Sequence, residues 1–226
     1  MGTGNQLALT FIFLVAISFL LVTTELIYRR LGLTGEITRK FAHFTATLST
    51  ITFPYLFDDH WYVLALSVFF FVVLFLSRHG TNLKSIHDIS RKSIGSYLLP
   101  VSIYITFLIS ILIGNKFIFI LPMLILAISD PLAGILGINL KNYNHKIKLF
   151  GFKTNKTWLG SGSFLVSSFI ISIIALYFNR MVFDAKTFWL ALSIAVLGTL
   201  AEMLSGWGTD NLTIPMSVLL LLVLFL

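Results

Sequence analysis

Charge is scarce in this chain and cysteine is missing altogether. Only 11% of the 226 residues are charged, less than half of the roughly 25% usual in a soluble domain. That leaves too little polar material to dress a water-facing surface. The lack of cysteine excludes disulfides, thiolate nucleophiles and Cys-ligated metals. Neither the GxxxxGK[ST] order of a P-loop nor a Rossmann glycine fingerprint occurs. No internal repeat of fixed period exists to suggest an inverted-repeat transporter. There is also no room for a soluble domain, because the longest loops, 78–96 and 139–156, hold fewer than twenty residues each. The first six residues carry no basic side chain, and no small-residue cleavage site follows the first apolar run. Residues 7–28 therefore read as a retained span and not as a signal peptide.

What is present is grease. Hydrophobic residues make up 57% of the chain, and phenylalanine occurs 22 times. Apolar runs long enough to cross about 30 Å of hydrocarbon recur from end to end. In lipid every backbone polar group must be satisfied within its own segment, and runs of this length satisfy it as helices, not as barrel strands. Spans are predicted at about 7–28, 40–57, 61–77, 97–113, 117–138, 157–178, 187–205 and 212–226. The expected fold is all-α: a polytopic transmembrane bundle of about seven to eight spans, forming a single domain over residues 1–226.

Positive charge orients it. The loops after the first, third and fifth spans hold 13 of the 16 Lys and Arg residues, while Lys116, Arg180 and Lys186 are all that the opposite loops contain. The basic loops are expected to face the cytoplasm and its anionic lipid headgroups. The net charge of +7 is thus a matter of topology, and nucleic acid is not an expected partner.

Ionisable groups within spans cost about 2.5–3.5 kcal/mol each even on lenient insertion scales, so each needs a reason. They are Glu25, His43, Asp130 and Glu202, with Asp210 at the edge of the last span. In the assigned orientation all fall toward the cytoplasmic ends of their helices. Arg39 and Lys40 share a helix face with His43; as cations alone they read as interface anchors, and Glu25 just across the same short loop makes a structured polar cluster an equal reading. Asp130 lies in AISDPLAGILG, where Pro131 is expected to break the span and Asp130, Gly134 and Gly137 fall on nearly one face.

The segment KTNKTWLGSGS (153–163) joins Lys153 and Lys156 to the hydroxyls of Thr157 and Ser161 and to flexible Gly160 at the head of a span. Amides at a helix start, with the positive end of its dipole, suit an oxyanion. As a bare pattern it has low specificity. Glu202, Asp210 and Asn211 flank the last cytoplasmic loop and, with Asp130, supply the hard oxygen ligands that Mg²⁺ prefers. An N-cap for the last span is the plainer role for Asp210.

These residues form four ordered blocks: Glu25 with Arg39-Lys40-x-x-His43, then SDPLAGILG, then KTWLGSGS, then Glu202 with DNLTIP (210–215). In this order and spacing the chain resembles the CTP-dependent lipid-alcohol kinases, the phytol and dolichol kinases and their bacterial relatives in the wider phosphatidate cytidylyltransferase superfamily. The resemblance spans positions 25 to 215. Two departures stand out, Ser129 where the family often has glycine and Leu159 where it often has an acid.

The resemblance implies transfer of the γ-phosphoryl of CTP to a membrane-dissolved prenyl-type alcohol, with Mg²⁺ as cofactor and CTP, the alcohol and membrane lipids as partners. Asp130, with Glu202, Asp210 or Asn211, is the implied metal site. Lys153, Lys156, Thr157, Gly160, Ser161 and Arg39 are the implied phosphate contacts, and Lys40, Glu25 and His43 join Asp130 as catalytic candidates. The general base stays open between His43 and a carboxylate. The competing classes are cytidylyl transfer to phosphatidate and a non-enzymatic transporter.

Overall fold

The computed structural model describes residues 2–78, 83–88, 93–139, 145–149 and 152–226, with residues 138, 139, 148, 149 and 152–155 described in backbone only. Among the described residues, ten helices and one short hairpin follow in order: α1 (Thr3–Leu31), α2 (Gly35–Thr50), α3 (Phe53–Leu56), α4 (His60–Ser77), α5 (Lys84–His87), α6 (Gly95–Ile113), α7 (Phe117–Asn139), β1 (Lys146–Leu149), β2 (Phe152–Thr157), α8 (Trp158–Arg180), α9 (Ala185–Leu204) and α10 (Asp210–Phe225). Six of them, α1, α4, α6, α7, α8 and α9, are long and apolar enough to cross a membrane. The chain is an all-α integral membrane protein.

Which helix lies at the centre follows from composition. In α7 the apolar residues run around the whole circumference, as a buried helix requires; 67% of its apolar window is buried, against 11% for α1. Phe119, Leu121, Met123, Ile125, Leu126 and Ala127 are fully enclosed. Helices α2, α6, α8 and α10 pack around it, α9 bridges α8 to α10, and α4 packs on α6. Large exposed apolar side chains such as Phe11, Phe19, Val166 and Phe178 cover the outside, which suits lipid and not water. Exposed tryptophans mark both ends: Trp158 and Trp207 at one, Trp61 and Trp189 at the other, as interfacial anchors do.

The elements differ from the sequence reading in four places. The expected span 40–57 is instead α2, which starts at Gly35 and stops at Thr50, and then the short α3. Pro54 lacks the amide that a continuing helix needs. Sixteen residues at about 1.5 Å each reach about 24 Å, so α2 is shorter than a full span, and its first turns place Arg39, Lys40 and His43 inside the bundle's end. Pro131 does not break its helix: α7 runs through both Pro122 and Pro131, because neighbouring helices carry the strained turn. The last helix begins at Asp210, with Thr209 as its N-cap. Finally, the stretch before α8 is an antiparallel hairpin, pairing Lys146 with Thr157 and Lys148 with Lys153.

Candidate active site

Five separate segments converge at one end of the bundle. The hairpin ends as β2 passes into α8, where the Thr157 side chain caps the helix by accepting from the Gly160 amide at 3.2 Å. This turn presses on α7 through small residues: Gly137 faces the Thr157 hydroxyl, and Gly160 faces the Ala133 carbonyl. A side chain at either glycine would wedge the two helices apart. One residue before the cap, Lys156 projects into the bundle.

The Lys156 ammonium bridges two carboxylates, Glu202 at the end of α9 at 2.8 Å and Asp210 at the start of α10 at 3.0 Å. The other Glu202 oxygen accepts a 2.7 Å hydrogen bond from the Ser161 hydroxyl. Burial works against the charged lysine, but the fields of Asp210, Glu202 and Asp130 outweigh it and hold its pKa above the usual lysine value. The lysine and its two carboxylates form one compact unit.

Asp130 occupies the α7 side of the cluster. Lys40 reaches to it from α2 across Gly134, whose missing side chain makes room for the lysine; its Nζ donates to the Asp130 carbonyl at 3.4 Å and lies 3.9 Å from the carboxylate. Among the described residues the Asp130 carboxylate accepts no hydrogen bond, although its side chain is only 13% exposed. One helical turn along α2, His43 Nε2 sits 3.4 Å from the Leu126 carbonyl, within the electrostatic reach of Asp130, Lys40, Arg39 and Asp210. Arg39 pairs with Glu36 at 2.9 Å, and its Nε is buried with no partner among the described residues.

A second segment ties the last loop to α6. The Asn211 side chain donates to the Gly95 carbonyl at 2.7 Å, and the Ile94 amide donates to the Trp207 carbonyl at 2.7 Å. Gly208, at φ 86°, lies against Ser93 and Gly95 so tightly that no other residue fits. Asn211 is thereby held at the junction of α6 and α10.

Next to this junction opens a cavity between α1, α2, α4 and α6. Its polar end carries Arg39, His43, Ser96 and Asn211. Away from that end its walls are almost wholly apolar, with Leu21, Leu66, Phe70 and Leu99 among them. A greasy slot thus ends on side chains that adjoin the charge cluster.

Of the residues singled out from sequence, Lys40, His43, Asp130, Lys156, Thr157, Gly160, Ser161, Glu202, Asp210, Asn211 and Arg39 come together at this end. Glu25 does not join them. Its carboxylate takes a 2.7 Å bond from Arg29 and a 2.8 Å bond from the Ser85 amide, anchoring α5 to α1. The Lys153 side chain lies outside the described residues. Leu159, at the position where an acid was expected, is 37% exposed, and the Lys156 bridge forms without it. Sequence reasoning missed the apolar cavity, the hairpin and the Ser161–Glu202 bond. The first two depend on how distant helices pack, which no local motif encodes.

Magnesium fits this donor set. Among the described residues no three His, Asp or Glu side chains gather into a metal cage, but Mg²⁺ on a nucleotide takes only one or two carboxylates and fills the rest with phosphate oxygens and water. Asp130, whose carboxylate stands 3.9 Å from the Lys40 ammonium, answers that description.

Apolar helices closing over a buried cluster of lysines and carboxylates define a polytopic membrane protein with a polar site at one end of its bundle. Comparison with known proteins narrows the class. The chain is 28% identical to the phytol kinase of Synechocystis sp. over 201 residues, covering 86% of this chain and 82% of that protein. The likeness to a phytol kinase thus runs over most of both proteins. No family model and no solved structure matches it.

Proposed function

We propose that this protein transfers the γ-phosphoryl group of CTP to the hydroxyl of a prenyl-type alcohol dissolved in the membrane, at the cytoplasmic face. One observation carries the proposal: the apolar cavity ends at Arg39, His43 and Asn211, beside a Lys156–Glu202–Asp210 cluster of alternating charge. A lipid tail in the cavity brings its hydroxyl to the charges, and a water-borne triphosphate meets it there. Similarity to a phytol kinase supports the alcohol as acceptor; the choice of CTP rests on the ordered sequence blocks.

Phosphoryl transfer asks a protein for positioning and charge neutralisation more than for covalent chemistry. The alcohol oxygen forms a bond to the γ-phosphorus as the bond from that phosphorus to the β–γ bridging oxygen breaks. CDP leaves, and the hydroxyl proton passes to His43 or to a carboxylate of the cluster. Lys40, Lys156 and Arg39 offset the triphosphate charge, and Ser161 keeps Glu202 oriented. Asp130, with Glu202 or Asp210, would hold Mg²⁺, which when bound neutralises phosphate oxygens and fixes their geometry.

The test is turnover by purified protein in detergent with Mg²⁺, γ-labelled CTP or ATP and a panel of alcohols. Labelled lipid monophosphate is expected from wild type. Asp130→Asn is expected to abolish it while leaving membrane insertion and thermal midpoint intact. Near-normal turnover by that variant refutes the carboxylate's role, and no labelled lipid from either nucleotide removes the kinase reading.

A further inference from the structure

The cavity has a far end, and its position is informative. On α2 the lining residues Arg39, His43, Ala46 and Thr50 form a single stripe, three or four residues apart as one helix face demands. From Arg39 to Thr50 the helix rises about 16 Å, roughly the reach of three to four extended isoprene units. Beyond Thr50 stands Phe53, 2% exposed. Its ring packs edge-on against Phe13 at 4.9 Å and Phe57 at 5.1 Å, and lies over Phe119 at 6.5 Å. Phe57 and Phe119 are themselves buried. A tail entering from the polar end therefore meets a wall of interlocked rings, which a core packed at crystal-like density does not open without loss. Halfway along, Ala46 contributes only a methyl group, so its size sets the bore.

We infer that this cavity gauges the length of the alcohol's tail, with Phe53 as its floor and Ala46 setting its width. It admits chains up to about four isoprene units and rejects long polyprenols. The inference rests on the lipid-alcohol reading for the identity of the occupant, but not on catalysis.

The experiment measures kcat/KM for geraniol, farnesol, geranylgeraniol, phytol and a long polyprenol, with thermal stabilisation by the same alcohols in the absence of nucleotide. Wild type is expected to act on alcohols up to geranylgeraniol and phytol and to fall sharply with the polyprenol. Ala46→Leu adds bulk to existing space. It is expected to lower kcat/KM for geranylgeraniol by about tenfold or more while sparing geraniol, the scale on which apolar pockets discriminate. Phe53→Ala is expected to extend the accepted length. A length-dependent stabilisation without turnover upholds the gauge and removes the kinase reading. Polyprenol handled as well as geranylgeraniol overturns the gauge, as does an Ala46→Leu variant that weakens all lengths equally.

Discussion

The ammonium of Lys156 stands 2.8 Å from the carboxylate of Glu202, joining the turn before α8 to the far end of α9. Both side chains are nearly enclosed, 12% and 4% exposed. A buried pair of this kind adds little net stability over apolar packing, yet removing one partner leaves the other charged and unmatched.

Replacing Lys156 with Met should therefore destabilise the protein by about 3–5 kcal/mol, because Glu202 and Asp210 lose the cation that bridges them. The double variant Lys156→Met with Glu202→Gln should recover part of that loss. Thermal unfolding of the single and double variants in one detergent measures the coupling.

Gly134→Ala places a methyl group on the Lys40 side chain. The lysine is flexible and swings aside, so the fold should hold within about 1 kcal/mol, but Lys40 then leaves Asp130. Turnover should drop strongly while the thermal midpoint barely moves. Gly162→Ala, with nothing within 4 Å of the added carbon, is the control and should keep full activity.

Gly208→Ala forces a positive φ of 86° on a residue with a side chain and drives its Cβ to 2.6 Å from the Gly95 amide. Strain of this type costs about 1–3 kcal/mol, and the clash adds to it. The variant should unfold earlier and lose the link that seats Asn211, which limited proteolysis of the loop before α10 detects.

Burial, reinforced by Arg78, holds His87 below the ordinary 6.5; its Nε2 lies 3.0 Å from the Ser77 hydroxyl. As pH falls the unfolded chain takes up a proton first. The stability owed to a neutral His87 is thus full above pH 6.5 and is lost as pH falls through the folded value. The thermal midpoint should decline as pH falls from 6.5 to the folded value, and His87→Gln should flatten the decline.

Much of this was legible in the sequence. A polar residue in an apolar run has few innocent explanations, so Asp130, Glu202 and Asp210 announced themselves, and Gly134 and Gly137 marked the α7 face that Lys40 and Thr157 now occupy. Periodicity failed where packing decides. The strain at Pro131 is absorbed by neighbouring helices, and α2 begins five residues before the apolar run because its first turn faces α5, with Thr38 donating to the Ser85 carbonyl at 2.7 Å. Glu25 matched an ordered block but turned toward α5, since a short motif fixes neither rotamer nor partner. The cavity was beyond reach for another reason. Its lining comes from seven helices far apart in the chain, most of them with an ordinary apolar face.

The most direct measurement follows the phosphorus. Wild-type protein is given Mg²⁺ and phytol with CTP labelled at either the α- or the γ-phosphate. Label reaching the lipid from the γ position alone, with CDP released, is the expected result. Label carried over from the α position, with pyrophosphate released, or no labelled lipid at all, contradicts phosphoryl transfer at the Lys156–Glu202–Asp210 site.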